Sequence, residues 1–185
     1  MKLVIGLGNP EERYKNTRHN VGFRVLTAYA HASDKEFQLK DKFKACVADL
    51  TVKGEKVIFA KPTTYYNNVG ESARLITDFY KIAPSKVLVV HDELALPFGT
   101  IRTRVGGSDA GNNGIKSITQ HIGPDTARIR MGIYNELRDR MDDAEFVLGT
   151  FTKEEDTALQ EALTVKAIAL INDFVSGNFE HVTHS

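Results

Sequence analysis

The chain has 185 residues, 42% apolar and 26% charged, with 24 basic side chains balanced by 24 acidic ones. That length favours one core, and that balance excludes a disordered or fibrous chain. No apolar run approaches the roughly 20 residues of a membrane span, and the single cysteine, Cys46, has no internal disulfide partner, so a reducing cytoplasm is the expected compartment.

Residues 2–7 are a short apolar run stopped by Gly8-Asn9-Pro10, which reads as a buried first strand rather than a secretory leader. Val21–Ala32 carries Phe23, Leu26, Thr27 and Ala30 at helical spacing. Residues 43–52 and 57–60 read as two strands turned across Lys53-Gly54-Glu55. Val69, Ala73, Ile76 and Tyr80 step along one helix face, which Pro84 closes. The valine and leucine run at 87–90 predicts a central strand. Residues 101–105 and 128–133 predict two more strands around a helix at 115–122. Thr152 and Glu155 form a capping box for a last long helix, with Leu159, Leu163, Ala167, Leu170, Ile171 and Phe174 on its apolar face. Gly177 follows as its left-handed C-terminal cap. Strands alternating with helices predict an α/β fold, one globular domain over residues 1–185, with a hairpin adding antiparallel character to the sheet.

Charge is unevenly spread. Residues 1–141 hold 22 basic and 15 acidic side chains, and residues 142–185 hold two basic and nine acidic ones. A basic body beside an acidic tail suits an RNA backbone, although an ordinary solvated surface has the same look.

Four polar segments fall at strand ends or in loops, where α/β proteins place their sites. They are Gly6-Leu7-Gly8-Asn9-Pro10; Thr17-Arg18-His19-Asn20; the stretch from Lys61 to Gly70; and His91-Asp92-Glu93 with the 106–114 loop. The first is not a dinucleotide fingerprint, because Glu11 stands where the third glycine belongs and Pro10 removes a backbone donor. His19 is the candidate base, since an imidazole is the side chain whose ordinary titration range spans neutral pH. Asp92, at the end of the central strand, is the carboxylate that could fix its tautomer. Alternation on a strand sends His91 and Glu93 to the other face, so the three cannot converge on one ion. No nucleophile elbow or metal-ligand spacing occurs, which leaves water as the expected nucleophile and no cofactor or metal.

Asn9, Asn67, Asn68, Asn112 and Asn113 gather in the same loops. Their amides can hold ester and sugar oxygens, or simply serve as turn residues. The glycine-rich 106–114 loop opens a helix and can present backbone N–H groups to an anion, or be a plain connection. Arg102 and Arg104, Arg128 and Arg130, and Lys116 lie beside it as candidate phosphate contacts. Tyr14, Tyr65 and Tyr66 can stack on bases or pack internally.

In order, GLGNP with Tyr14, TRHNVGF, KPTTYYNN with Gly70, HDEL with LPFG, and the GG-x-x-x-G-x-NGIKSI stretch resemble the bacterial peptidyl-tRNA hydrolase family over nearly the whole chain. The resemblance implies a mixed twisted sheet flanked by helices, and a monomeric cytoplasmic esterase that frees peptide from prematurely released peptidyl-tRNA. It implies His19 as general base and Asp92 as its orienting carboxylate. Asn9, Asn67 and Asn113 would position the peptidyl ester and the tRNA end, and Tyr14 and Tyr65 would contact tRNA. The chain departs from the family pattern at Glu11 (usually Gly), Tyr66 (Met), Val69 (Ser), Ala95 (Asp), Asn112 (His) and Tyr134-Asn135 (Gly-Arg-Pro). A rival expectation is an RNA-binding relative without hydrolysis on the same scaffold.

Overall fold

The computed structural model describes residues 1–185 and folds them around one eight-stranded sheet. The first strand, β1 (Lys2–Gly6), lies in its middle. It pairs in parallel with β4 (Glu55–Pro62) on one side and β5 (Val87–Pro97) on the other. Beyond β5 lies β7 (Ala127–Tyr134), also parallel. Antiparallel partners flank this centre: β3 (Ala45–Val52) against β4, and β6 (Ile101–Val105) against β7. Short strands β2 (Gln38–Lys40) and β8 (Thr183–His184) finish the two edges.

The apolar runs of β1 and β5 are buried on both faces because helices cover both. Val4, Leu88 and Val90 join the core under α1 (Val21–Ala32) and the C-terminal helix α6 (Thr164–Ser176). Leu3, Ile5, Val87 and Val89 join a second core under α2 (Val69–Tyr80) and α3 (Asn113–Ile122). Burying one such side chain contributes about 1.5–3 kcal/mol, so the two-residue alternation fixes which way every later residue of β5 faces. Asp92 falls on the register of Leu88 and Val90, and His91 and Glu93 on the opposite one.

The structure bears out the expected hairpin, the four predicted strands outside it, the helices over 21–32 and 69–80, and the mixed sheet. It shifts several boundaries. β3 starts at Ala45 rather than residue 43, because Lys44 turns the chain through the left-handed region at φ 47°. β5 runs past Val90 to Pro97, paired with β7 through Glu93 before the register slips. Asp92 is therefore inside a strand. α3 starts at Asn113, not residue 115, because the Asn112 side chain accepts from the Ile115 N–H at 3.0 Å and caps it. The capping box at Thr152 and the left-handed Gly177 are both present. The last helix is not uniform, however: α5 (Lys153–Ala158) joins α6 through a π turn at Leu159–Leu163. Before it, α4 (Asp143–Leu148) forms a short helix that no apolar periodicity in the sequence signals. No helix is long and apolar enough to cross a membrane.

Candidate active site

Beside the carboxyl half of β5 lies a cleft of about 590 Å³, whose lining includes Asn9, His19, Tyr65, Tyr66, Asn67, Asp92, Asn112 and Asn113. Leu94, Val147 and Leu148 line it too, giving a polar cleft an apolar wall.

His19 sits in a single 3-10 turn, Arg18–Asn20, that runs into α1. Both neighbours pin this turn. Asn20 exchanges two hydrogen bonds with the Asn9 backbone: the Asn9 N–H donates to Oδ1 at 2.9 Å, and Nδ2 donates to the Asn9 carbonyl at 2.8 Å. Arg18 is buried; its Nη1 donates to the Phe146 carbonyl at 3.2 Å, its guanidinium lies 4.2 Å over the Phe146 ring, and Glu155 stands 3.6 Å away. Gly22 then lets the first turn of α1 touch the sheet, since a Cβ there would sit 2.3 Å from the Val90 carbonyl oxygen. That close approach brings His19 to β5.

The expected partners meet. His19 Nδ1 lies 2.8 Å from Asp92 Oδ2. Asp92 is 2% exposed, and its other oxygen, Oδ1, accepts from the Tyr66 hydroxyl at 2.6 Å. The Tyr66 ring stacks on the imidazole, centroids 3.5 Å apart and planes 13° from parallel. Asn112 Nδ2 donates to the Tyr66 oxygen at 2.9 Å and to the Asp92 carbonyl at 3.3 Å. Since an ionised carboxylate only accepts, Nδ1 carries a proton and Nε2, which has no protein partner, is the free nitrogen.

Burial pushes the Asp92 carboxyl upward, but the neighbouring His19 and the hydrogen bonds from His19 and Tyr66 outweigh it, so its pKa falls below the ordinary value. Burial, reinforced by the Asp92 charge, raises Tyr66 well above its ordinary range and keeps the phenol protonated. Burial lowers His91, whose Nδ1 instead meets the Asp92 carbonyl at 2.6 Å. No group of three or more His, Cys, Asp or Glu side chains is placed to hold a metal ion.

The remaining candidates divide by position. Asn9 accepts from the Tyr66 N–H at 2.9 Å through Oδ1, leaving its Nδ2 as the group free to meet a ligand. Asn67, Asn113 and Tyr65 are exposed on the cleft wall. Tyr14 lies outside it in the turn Glu12–Tyr14, with the Arg13 guanidinium 4.6 Å over its ring. Asn68 is exposed away from the cleft. Arg102 and Arg104 are exposed on a separate groove of about 310 Å³ that Arg130 and His181 also line, and Lys116 is exposed on α3. Arg130 is already ion-paired, its Nε 3.0 Å from Glu93 Oε2 with both side chains largely buried. Arg128 turns inward and donates to the Ser108 and Gly107 carbonyls at 2.6 and 3.0 Å, bracing the 106–114 loop. Tyr66, expected either to stack on bases or to pack internally, is buried in the core, and Arg18 and Asn20 carried no expected role. The signal for the latter two was their place beside His19 in one polar segment that leads into an apolar helix.

Fold and site together describe a single-sheet α/β enzyme whose polar cleft is built around a histidine–aspartate pair. Residues 3–184 match the family model described as peptidyl-tRNA hydrolase. A protein of that name from Ligilactobacillus salivarius is 38% identical over 96% of this chain and 95% of its own length. Another from Wolinella succinogenes is 43% identical over 97% of this chain and 90% of its own. The crystal structure of peptidyl-tRNA hydrolase from Acinetobacter baumannii superposes with a TM-score of 0.86 at 33% identity, covering 96% of this chain and 89% of that one. The chain belongs to the peptidyl-tRNA hydrolase family.

Proposed function

We propose that this protein hydrolyses the ester between a peptide, or an N-blocked amino acid, and the 3′-terminal ribose of tRNA, recycling tRNA in the cytoplasm as a monomer. The observation that carries the reading is the 2.8 Å contact of His19 Nδ1 with buried Asp92 at a polar cleft, in a chain of this family. His19 Nε2 takes a proton from water, and the oxygen of that water bonds to the ester carbonyl carbon. Asp92 holds the proton on Nδ1 and stabilises the imidazolium that forms. When the tetrahedral intermediate collapses, the C–O bond to the ribose breaks and the imidazolium returns its proton to the departing ribose oxygen. The products are a peptide whose new carboxylic acid gives up its remaining proton to solvent and a tRNA with its ribose hydroxyl restored.

The amides supply the rest. Asn9 lines the cleft with its Oδ1 already engaged, which leaves Nδ2 as a donor suited to a carbonyl oxygen of the substrate; Asn67 and Asn113 extend the same wall. A positioned base contributes about 10²–10⁴-fold to rate, and an oxyanion donor about 10²–10³-fold. Arg102, Arg104, Lys116, Tyr14 and Tyr65 remain proposed contacts to the tRNA backbone and its end. Arg130 serves this through Glu93: Glu93 lines the cleft and Arg130 the basic groove, so their ion pair spans the wall between them.

The test is release of an N-acetylated amino acid from its tRNA in the presence of chelator. Release that is unaffected by chelator supports a metal-free hydrolase, whereas binding of tRNA without release favours the RNA-binding alternative.

A further inference from the structure

We infer that Tyr66, held by Asn112, is a positioning residue for the hydrolytic pair: its hydroxyl occupies the second oxygen of Asp92 while its ring fixes the plane of the His19 imidazole. The inference rests on the hydrolase reading above and adds to it a pair of residues that act through others.

The hydrogen-bond chain has one direction. The amide nitrogen of Asn112 can only donate, so at 2.9 Å it makes the Tyr66 oxygen an acceptor. The phenol's single hydrogen is then left for Asp92 Oδ1, at a 2.6 Å separation typical of a charge-assisted bond. Asn112 is itself fixed, because its Oδ1 caps α3 at the Ile115 N–H. Tyr66 is tied at its other end, where its N–H donates to Asn9 Oδ1 at 2.9 Å. A continuous path therefore runs from the start of α3 through Asn112, Tyr66 and Asp92 to His19. Without it, the carboxylate would be held by Nδ1 alone and could swing together with the imidazole, so that Nε2 is less closely aimed at the cleft.

The two halves of Tyr66 act on His19 in opposite senses. Its ring face, 3.5 Å from the imidazole, favours the cation formed when Nε2 accepts a proton. Its hydroxyl draws charge from Asp92 and so weakens the carboxylate's hold on that cation. Tyr66→Phe keeps the first effect and deletes the second. In the variant, the acid limb of the kcat/KM profile should move to higher pH by about one unit, a part of what a hydrogen bond to a charged group is worth. The plateau kcat should fall about tenfold for loss of orientation. KM should stay within about twofold, since the hydroxyl points at Asp92 and not into the cleft. Asn112→Ser retains a capping oxygen for α3 but is too short to reach Tyr66, so it should shift the limb in the same direction by less. The double variant should lie close to Tyr66→Phe alone, because both changes cut one chain and the other contact Asn112 gives up is the longer, 3.3 Å one to the Asp92 carbonyl.

The experiment is the pH profile of N-acetyl-aminoacyl-tRNA hydrolysis by wild type, His19→Ala, Tyr66→Phe, Asn112→Ser and the double variant, with a thermal midpoint for each. Absence of hydrolysis by wild type overturns the hydrolase reading itself. Active wild type and inactive His19→Ala, with a Tyr66→Phe profile that superposes on wild type, overturns the positioning role alone. So does a lower kcat with an unmoved acid limb and a lowered thermal midpoint, the signature of mere structural loss. Should Tyr66→Phe fail to fold, the Asn112→Ser profile decides: an upward shift supports the role and superposition rejects it.

Discussion

Replacing Asp92 by asparagine removes one negative charge while keeping the side chain's shape. The contact of 2.8 Å between His19 Nδ1 and Oδ2 puts the charge centres roughly 4 Å apart, where an effective dielectric near 20 gives an attraction of about 4 kcal/mol. That stabilisation exists only once His19 is protonated, so its loss falls on the transition state and lowers kcat by roughly 10³-fold. A second effect adds to it. The new amide can present N–H to Nδ1 and move the imidazole proton to Nε2, leaving no base facing the cleft. Single-turnover release of N-acetyl-amino acid from saturating enzyme isolates this step, and KM should change little because Asp92 is buried beneath His19. A loss under tenfold would refute the reasoning. The substitution also has a signature in stability. The folded Asp92 carboxyl lies below its ordinary value, so it contributes stability that is present above the unfolded value, near pH 4, and is lost as pH falls through the lower folded value. Asp92→Asn should therefore unfold with a shallower dependence on pH on the acid side.

Three further outcomes follow from the packing and the charge. Gly114→Ala should disturb the site from behind, because a Cβ there would lie 2.5 Å from Tyr66 Cε1 and 2.7 Å from Leu7 Cδ1; denaturant unfolding should show a cost of about 1–3 kcal/mol, with reduced kcat. Thr152→Ala removes one half of the capping box and should lower stability by about 1 kcal/mol in thermal unfolding, leaving kcat close to wild type. Arg102→Ala with Arg104→Ala should reduce the slope of log KM against log salt by about 2, one for each phosphate that is no longer neutralised, with kcat at saturation unchanged; an unaltered slope removes both residues from the tRNA path.

The sheet was legible because its central strands are apolar throughout and its helices keep one apolar face. Elements with little apolar content escaped: β2 is three residues with none fully buried, β8 is two, and α4 offers only Phe146 and Val147 to the core. The start of β3 was misplaced because Phe43, buried like a strand residue, ends a 3-10 turn. Within the site, His19 and Asp92 stood out by chemistry alone. Their meeting could not be deduced, since it depends on how closely α1 approaches β5 at Gly22. The basic residues were the hardest to read. Spacing groups Arg128 and Arg130 with Arg102 and Arg104, yet only the latter two are exposed; Glu93 and the loop carbonyls already hold the former. Pattern gives the side of a strand, not which partner arrives there first.

The most direct test of the account compares wild type with His19→Ala in cleaving N-acetyl-aminoacyl-tRNA, with tRNA affinity measured in parallel. Removing the base should reduce kcat by about 10²–10⁴-fold while affinity stays within a few-fold of wild type. Undiminished cleavage by the variant would mean that the water is activated elsewhere, and the pair at the foot of the cleft would have no part in the reaction.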